Sequence, residues 1–162
     1  MPSYDYLHRA EFWLLITTLV YFLMNGAQIF ETAVIIPRWT ANAPASFSLL
    51  KGIDLKTFWI VMHSVHEITF MAAIYFCWDL GQVRNWLLLL FGIHFAVRVW
   101  TIVYFAPIII RFQKNENLAA TDEELQIIAT RWRKLNYIRV GLFVAISIAM
   151  VFTYFLFMSI RY

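Results

Sequence analysis

Residues 57–78, TFWIVMHSVHEITFMAAIYFCW, make an apolar run long enough to cross a bilayer, yet they carry two imidazoles and a carboxylate near their centre. A spanning helix needs about 20 predominantly apolar residues, and three further runs reach that length: 11–36, 85–110 and 135–160. Composition agrees with this reading. Of the 162 residues, 62% are hydrophobic and 19% aromatic while only 14% are charged, which is more apolar surface than a soluble domain of this size can hide. The sequence therefore predicts an all-α integral membrane four-helix bundle, one transmembrane domain over residues 1–162, with an amphipathic extension ahead of the fourth span.

The breaks between spans have recognisable chemistry. Pro37 is expected to end the first span, because the residue before a proline is pushed out of the helical region, and Asp54 is expected to cap the second. Asp79, Leu80 and Gly81 read as a tight connection, and Pro107 lies near the end of the third span, before the polar stretch 114–121. Thr121 and Glu124 have capping-box spacing. Leu125, Ile128, Trp132 and Leu135 recur on one face, so a helix should start at Asp122 and either lie on the membrane surface or extend the fourth span into solvent. The opening MPSYDYLHRAEFW has no basic run, short apolar core or cleavage site and reads as mature sequence. The single cysteine, Cys77, excludes an intrachain disulfide and a multi-thiolate metal site.

Charge sets the expected orientation. Loops 1 and 3 hold Arg38, Lys51, Lys56, Arg111, Lys114, Arg131, Arg133 and Lys134, against Arg9, Arg84 and Arg161 on the other side. This bias predicts that loops 1 and 3 are cytoplasmic, in a bacterial inner (plasma) membrane. A net charge of +3 with no clustered basic face gives no reason to expect a nucleic-acid partner.

Each span carries strongly polar groups on one face. Asn25, Gln28 and Glu31 follow one another at intervals of three in the first; His63, His66 and Glu67 stand at i, i+3 and i+4 in the second; His94 and Arg98 are four apart in the third; Asn136 and Arg139 are three apart in the fourth. Unpaired, Glu31, Glu67, Arg98 and Arg139 would cost on the order of 10 kcal/mol at about 2.5 to 3.5 kcal/mol each. They are expected to face one another, Glu67 with Arg98 and Glu31 with Arg139. The bland reading is interhelical glue that sets register.

The sharper reading is a metal centre. Imidazole is the commonest protein metal ligand, and bundle cores build metal sites from inward-facing Glu and His. His63, His66, Glu67 and His94 are the expected ligands of a single transition-metal ion, iron, copper or zinc, with haem as a weaker alternative. Glu31, Arg98, Asn136 and Arg139 are the expected catalytic groups, Arg139 offering a forked cation to a substrate oxygen. Trp59 and Phe70 are placed to line the cavity, whereas Trp39 and Phe47 in loop 1 read as membrane-interface anchors.

Three motifs carry a resemblance. The run WRKLNYIR at 132–139, YFAPIIIRFQ at 104–113, and NGAQIFE at 25–31 with IIPRW at 35–39 resemble the anthrone oxygenase-like family of small four-helix membrane proteins. The resemblance implies oxidation of polycyclic aromatic anthrones to quinones, with Trp132, Asn136 and Arg139 as family positions and the last two facing the pocket. HSVHE is not part of that pattern and points to a metal-using branch. The expectation is a membrane-embedded, metal-dependent oxidoreductase, an oxygenase acting on a lipid-soluble aromatic or quinone-like molecule. The bilayer is its setting and a homo-oligomer one possible assembly. Two alternatives remain open: a proton- or metal-coupled transporter, and a non-catalytic assembly subunit.

Overall fold

In the computed structural model, residues 3–51, 55–114 and 121–161 are described, and they form four long helices: α1 (Tyr4–Trp39), α2 (Leu55–Phe76), α3 (Gly81–Lys114) and α4 (Asp122–Arg161). All four are long and apolar enough to cross a membrane. No strand occurs among the described residues. Ser3 starts α1 by accepting a hydrogen bond from the Tyr6 amide at 3.3 Å. The expected capping box opens α4: the Thr121 amide donates to Glu124 Oε2 at 2.8 Å, and the Glu124 amide to Thr121 Oγ1 at 3.3 Å. Asp54 lies outside the described residues, as do positions 115–120 of the polar stretch.

Pro37 does not end the first helix. The chain widens into a π-helical turn over Glu31–Ile35, in which the Ile36 amide donates to the Glu31 carbonyl, and then regains α geometry through Trp39. The widened turn takes up the missing amide and the bulk of the proline ring, so the helix bends its ladder instead of stopping. Helix α3 repeats the device at the same spacing: a π-turn over Thr101–Phe105, an Ala106 amide donating to the Thr101 carbonyl, then Pro107.

Two cores follow. In the first, α1 packs against α2 and α4, and α4 packs against the first part of α3; Leu14, Tyr21, Met24, Phe70, Leu87, Phe143 and Met150 are buried there. The outward face of this part remains apolar, with Leu23, Ile68, Phe95 and Phe152 each more than half exposed. A soluble monomer rarely leaves so broad an apolar face uncovered. The second core is a cap on the end that carries loops 1 and 3. It joins the last turns of α1 and α3, a 3₁₀ turn over Ala45–Leu50, and the first turns of α4.

The cap decides two sequence-level questions. The amphipathic piece before the fourth span is not a separate surface helix, because Asp122–Arg161 is one continuous helix of 40 residues, about 60 Å at 1.5 Å per residue. A hydrocarbon core is only about 30 Å thick, so α4 is longer than a crossing would need, and its first turns bury Leu125, Ala129 and Trp132 in the cap. Trp39 and Phe47 are likewise not interface anchors. Both are 1% exposed; Trp39 meets Trp132 edge-on at 5.0 Å, and Phe47 stacks on Phe112 at 4.2 Å. Gln126 ties loop 1 to α4, accepting from the Ala43 amide at 2.6 Å and donating to the Thr40 carbonyl at 3.0 Å.

Candidate functional site

A cavity of about 210 Å³ lies where the two cores meet. Its inner end is polar: Gln28 and Glu31 come from α1, His63 from α2, Arg98 from α3 and Arg139 from α4. Its walls are apolar and aromatic, with Trp59, Phe105, Ile109 and Trp132 among them. The π-turns build this space. Glu31 and Thr101 each open one, and both line the cavity, in keeping with the recurrence of π-turns at functional sites.

Arg139 is held on several sides. Its Nη2 donates to Asn136 Oδ1 at 2.6 Å and its guanidinium carbon sits 4.6 Å from the Phe105 ring centroid; Glu31 lines the same cavity, but the expected ion pair between the two is not formed within salt-bridge distance. Asn136 in turn donates to Thr32 Oγ1 at 2.9 Å, so α1 and α4 are joined through one amide. Trp132 sits one turn before Asn136 and donates its Nε1 to the Phe105 carbonyl at 3.2 Å, a carbonyl within the second π-turn. Trp59 stacks on His63 at 5.3 Å, and both line the cavity with Glu31. A buried carboxylate, a buried guanidinium and an imidazole therefore share one small chamber.

Arg98 and Glu67 pair as expected, with Nε donating to Oε1 at 2.9 Å. The pair is not deep: the Glu67 side chain remains 39% exposed, and Arg98 rather than Glu67 reaches the cavity. The pair joins α2 to α3 beside the chamber.

The four expected metal ligands are divided between different surroundings. His63 is on the cavity wall, while Glu67 is committed to Arg98. His66 and His94 lie behind the chamber with their ring centroids 4.6 Å apart. Tyr21 stands edge-on to His66 at 4.2 Å, and its hydroxyl is 3.1 Å from His94 Nδ1. Phe70 belongs to this inner group rather than to the cavity wall, at 5.6 Å from His66 and 6.1 Å from His94. Among the described residues, no three His, Cys, Asp or Glu side chains are grouped so as to hold a metal ion. Both nitrogens of His66, Nε2 of His94 and Nδ1 of His63 are nevertheless buried without a hydrogen-bond partner, as are the amide oxygens of Asn25 and Gln28. Cys77 is buried just past the end of α2, where its thiol is 3.9 Å from the Ala10 carbonyl.

Sequence reasoning missed Tyr21 and Thr32. The signal was available: Tyr21, Asn25, Gln28 and Thr32 follow the 3.6-residue repeat more closely than a strict interval of three, and all four are buried. No family model, curated protein or solved structure matches the chain, so the anthrone oxygenase-like resemblance rests on its short motifs alone.

Proposed function

We propose that the chain is an integral membrane protein that admits a lipid-soluble aromatic, phenolic or quinone-like molecule to this cavity and oxidises it as an oxygenase. One observation carries the reading: a small apolar and aromatic chamber ends in a buried carboxylate, a buried guanidinium and an imidazole. Ligand sites characteristically combine apolar walls with a few convergent polar groups.

The groups divide the work by their chemistry. Glu31 is the proton acceptor for an acidic C–H or O–H of the substrate. Arg139, oriented by Asn136, holds the oxygen anion that proton removal leaves. Trp59 and Phe105 flank the ring system, and His63 beside Trp59 takes part in moving the proton onward. With dioxygen as the oxidant, one ring methylene and one dioxygen become one carbonyl and one water, so atoms and electrons balance.

The test uses tag-free protein in lipid nanodiscs. Naphthoquinone should quench the fluorescence of Trp59 and Trp132 saturably, and an anthrone should drive dioxygen uptake above its spontaneous rate. Glu31→Gln should abolish the uptake and keep the quenching. Neither saturable quenching nor excess uptake from the wild type would end the reading.

A second reading retains a metal. It is favoured by the unpartnered nitrogens of His66 and His94 on rings 4.6 Å apart. A near-stoichiometric transition metal in tag-free protein, lost in both His66→Ala and His94→Ala, would support it; no metal after reconstitution with iron, copper and zinc would remove it.

A further inference from the structure

The cavity is too small for a large ligand and is not closed on every side. At about 210 Å³ it falls below the roughly 300–1,000 Å³ of sites that enclose a drug-sized molecule. Its deepest lining residues, Gln28, Glu31, Phe105, Trp132 and Arg139, are all buried. The α2 and α3 edges of the lining are different. Ile60 on α2 is 56% exposed and Ile102 on α3 is 59% exposed, so the chamber opens sideways between these two helices.

The packing explains the opening. Helix α2 packs on the first part of α3, and Arg98 holds Glu67 there at 2.9 Å. Past Arg98 the π-turn begins, and α2 makes no substantial packing with that turn or with the end of α3. The two helices therefore part above the ion pair. Counted at 1.5 Å per residue from Gly81, Ile102 is about 30 Å along α3, close to the level at which a hydrocarbon core ends. Lys56, exposed on the rim, stands where lipid headgroups would lie.

We infer that the ligand is a tailed amphiphile: a phenol or quinone head that fills the chamber, bearing a hydrocarbon chain that leaves between Ile60 and Ile102 and stays in the lipid. The inference rests on the proposed function and narrows its substrate class. The head meets Arg139 and Glu31, the tail meets only apolar side chains, and no water-filled path is needed for entry. A compact polycyclic molecule with no tail fits the chamber but makes no use of the opening.

The experiment compares naphthoquinone with the same head carrying a decyl tail, by tryptophan quenching in nanodiscs. Three proteins are used: the wild type, Ile60→Phe with Ile102→Phe, and Ile148→Phe as a control on the exposed face of α4. Partition of the tail into lipid is common to all three and cancels. The opening variant should weaken the tailed ligand by about tenfold and leave the head-only ligand within about twofold, while the control changes neither. Equal affinity of the tailed ligand for the wild type and the opening variant would overturn the inference and leave the proposed function standing. Failure of both ligands to quench the wild type would overturn both. Should the paired substitution fail to fold, Ile102→Phe alone gives the same comparison.

Discussion

Replacing Asn136 by leucine tests whether this one amide joins the helices that build the chamber. Asn136 is fully buried, donates to Thr32 at 2.9 Å and accepts from Arg139 at 2.6 Å. Leucine has nearly the same shape, so little cavity is created and the change is confined to the two bonds. The bond to Thr32 is worth about 1 kcal/mol and the charge-assisted bond to Arg139 about 2 kcal/mol. The added apolar burial returns about 1 kcal/mol, leaving a loss of about 2 kcal/mol. For a chain of this size that is a fall in Tm of roughly 4–8 °C. Thr32→Val should cost about 1 kcal/mol alone, and almost nothing in the Asn136→Leu background, where its partner is already gone. The assay is thermal unfolding in one detergent, followed by circular dichroism for all four proteins of the cycle. A melting point for Asn136→Leu indistinguishable from the wild type, or strict additivity with Thr32→Val, would refute the reasoning.

Other substitutions separate packing from chemistry. Trp132→Ala removes a side chain that is 2% exposed and bonded to the Phe105 carbonyl, so about 3–5 kcal/mol should be lost; Trp132→Phe should keep most of that, and equal melting points for the two would contradict the packing described for the cap. Glu67→Gln and Arg98→Gln together should destabilise less than the sum of the two alone, with a coupling of about 0.5–3 kcal/mol in a double-mutant cycle; zero coupling would mean the pair does not hold α2 to α3. Arg139→Lys keeps the charge but loses the fork that reaches Asn136 while lying over Phe105. Quinone affinity should fall by about tenfold with a smaller change in Tm, and unchanged affinity would remove Arg139 from the ligand's contacts.

The four long helices were legible because a long apolar run stands out in a sequence: 11–36, 85–110 and 135–160 lie inside observed helices, and 57–78 overruns α2 by two residues. Their ends were not. Hydropathy marks only the part that suits lipid, whereas α4 continues for more than three turns ahead of its apolar run because Leu125, Ala129 and Trp132 find partners in the cap. Trp39 and Phe47 fail for a related reason: an aromatic residue near a span end looks the same whether it meets headgroups or another helix. The polar residues of the site stood out against apolar neighbours, and Glu67 found Arg98. Which imidazoles go together was hidden. His63 and His66 are one turn apart on one helix, yet one faces the chamber and the other meets Tyr21 and His94, because three neighbouring helices decide what each ring touches.

The paired π-turns also set how the two halves of each helix face their neighbours. A π-turn is an α-helix carrying one extra residue, and one residue turns an α-helix by about 100°. The stretch before Glu31 and the stretch after Ile35 are thus out of phase with a single uninterrupted stripe, as are those on either side of Thr101–Phe105. Each phase change falls just before a proline and at the level of the cavity, which Glu31 and Thr101 line, so the face that packs in the first core and the face that closes over the chamber need not share one stripe.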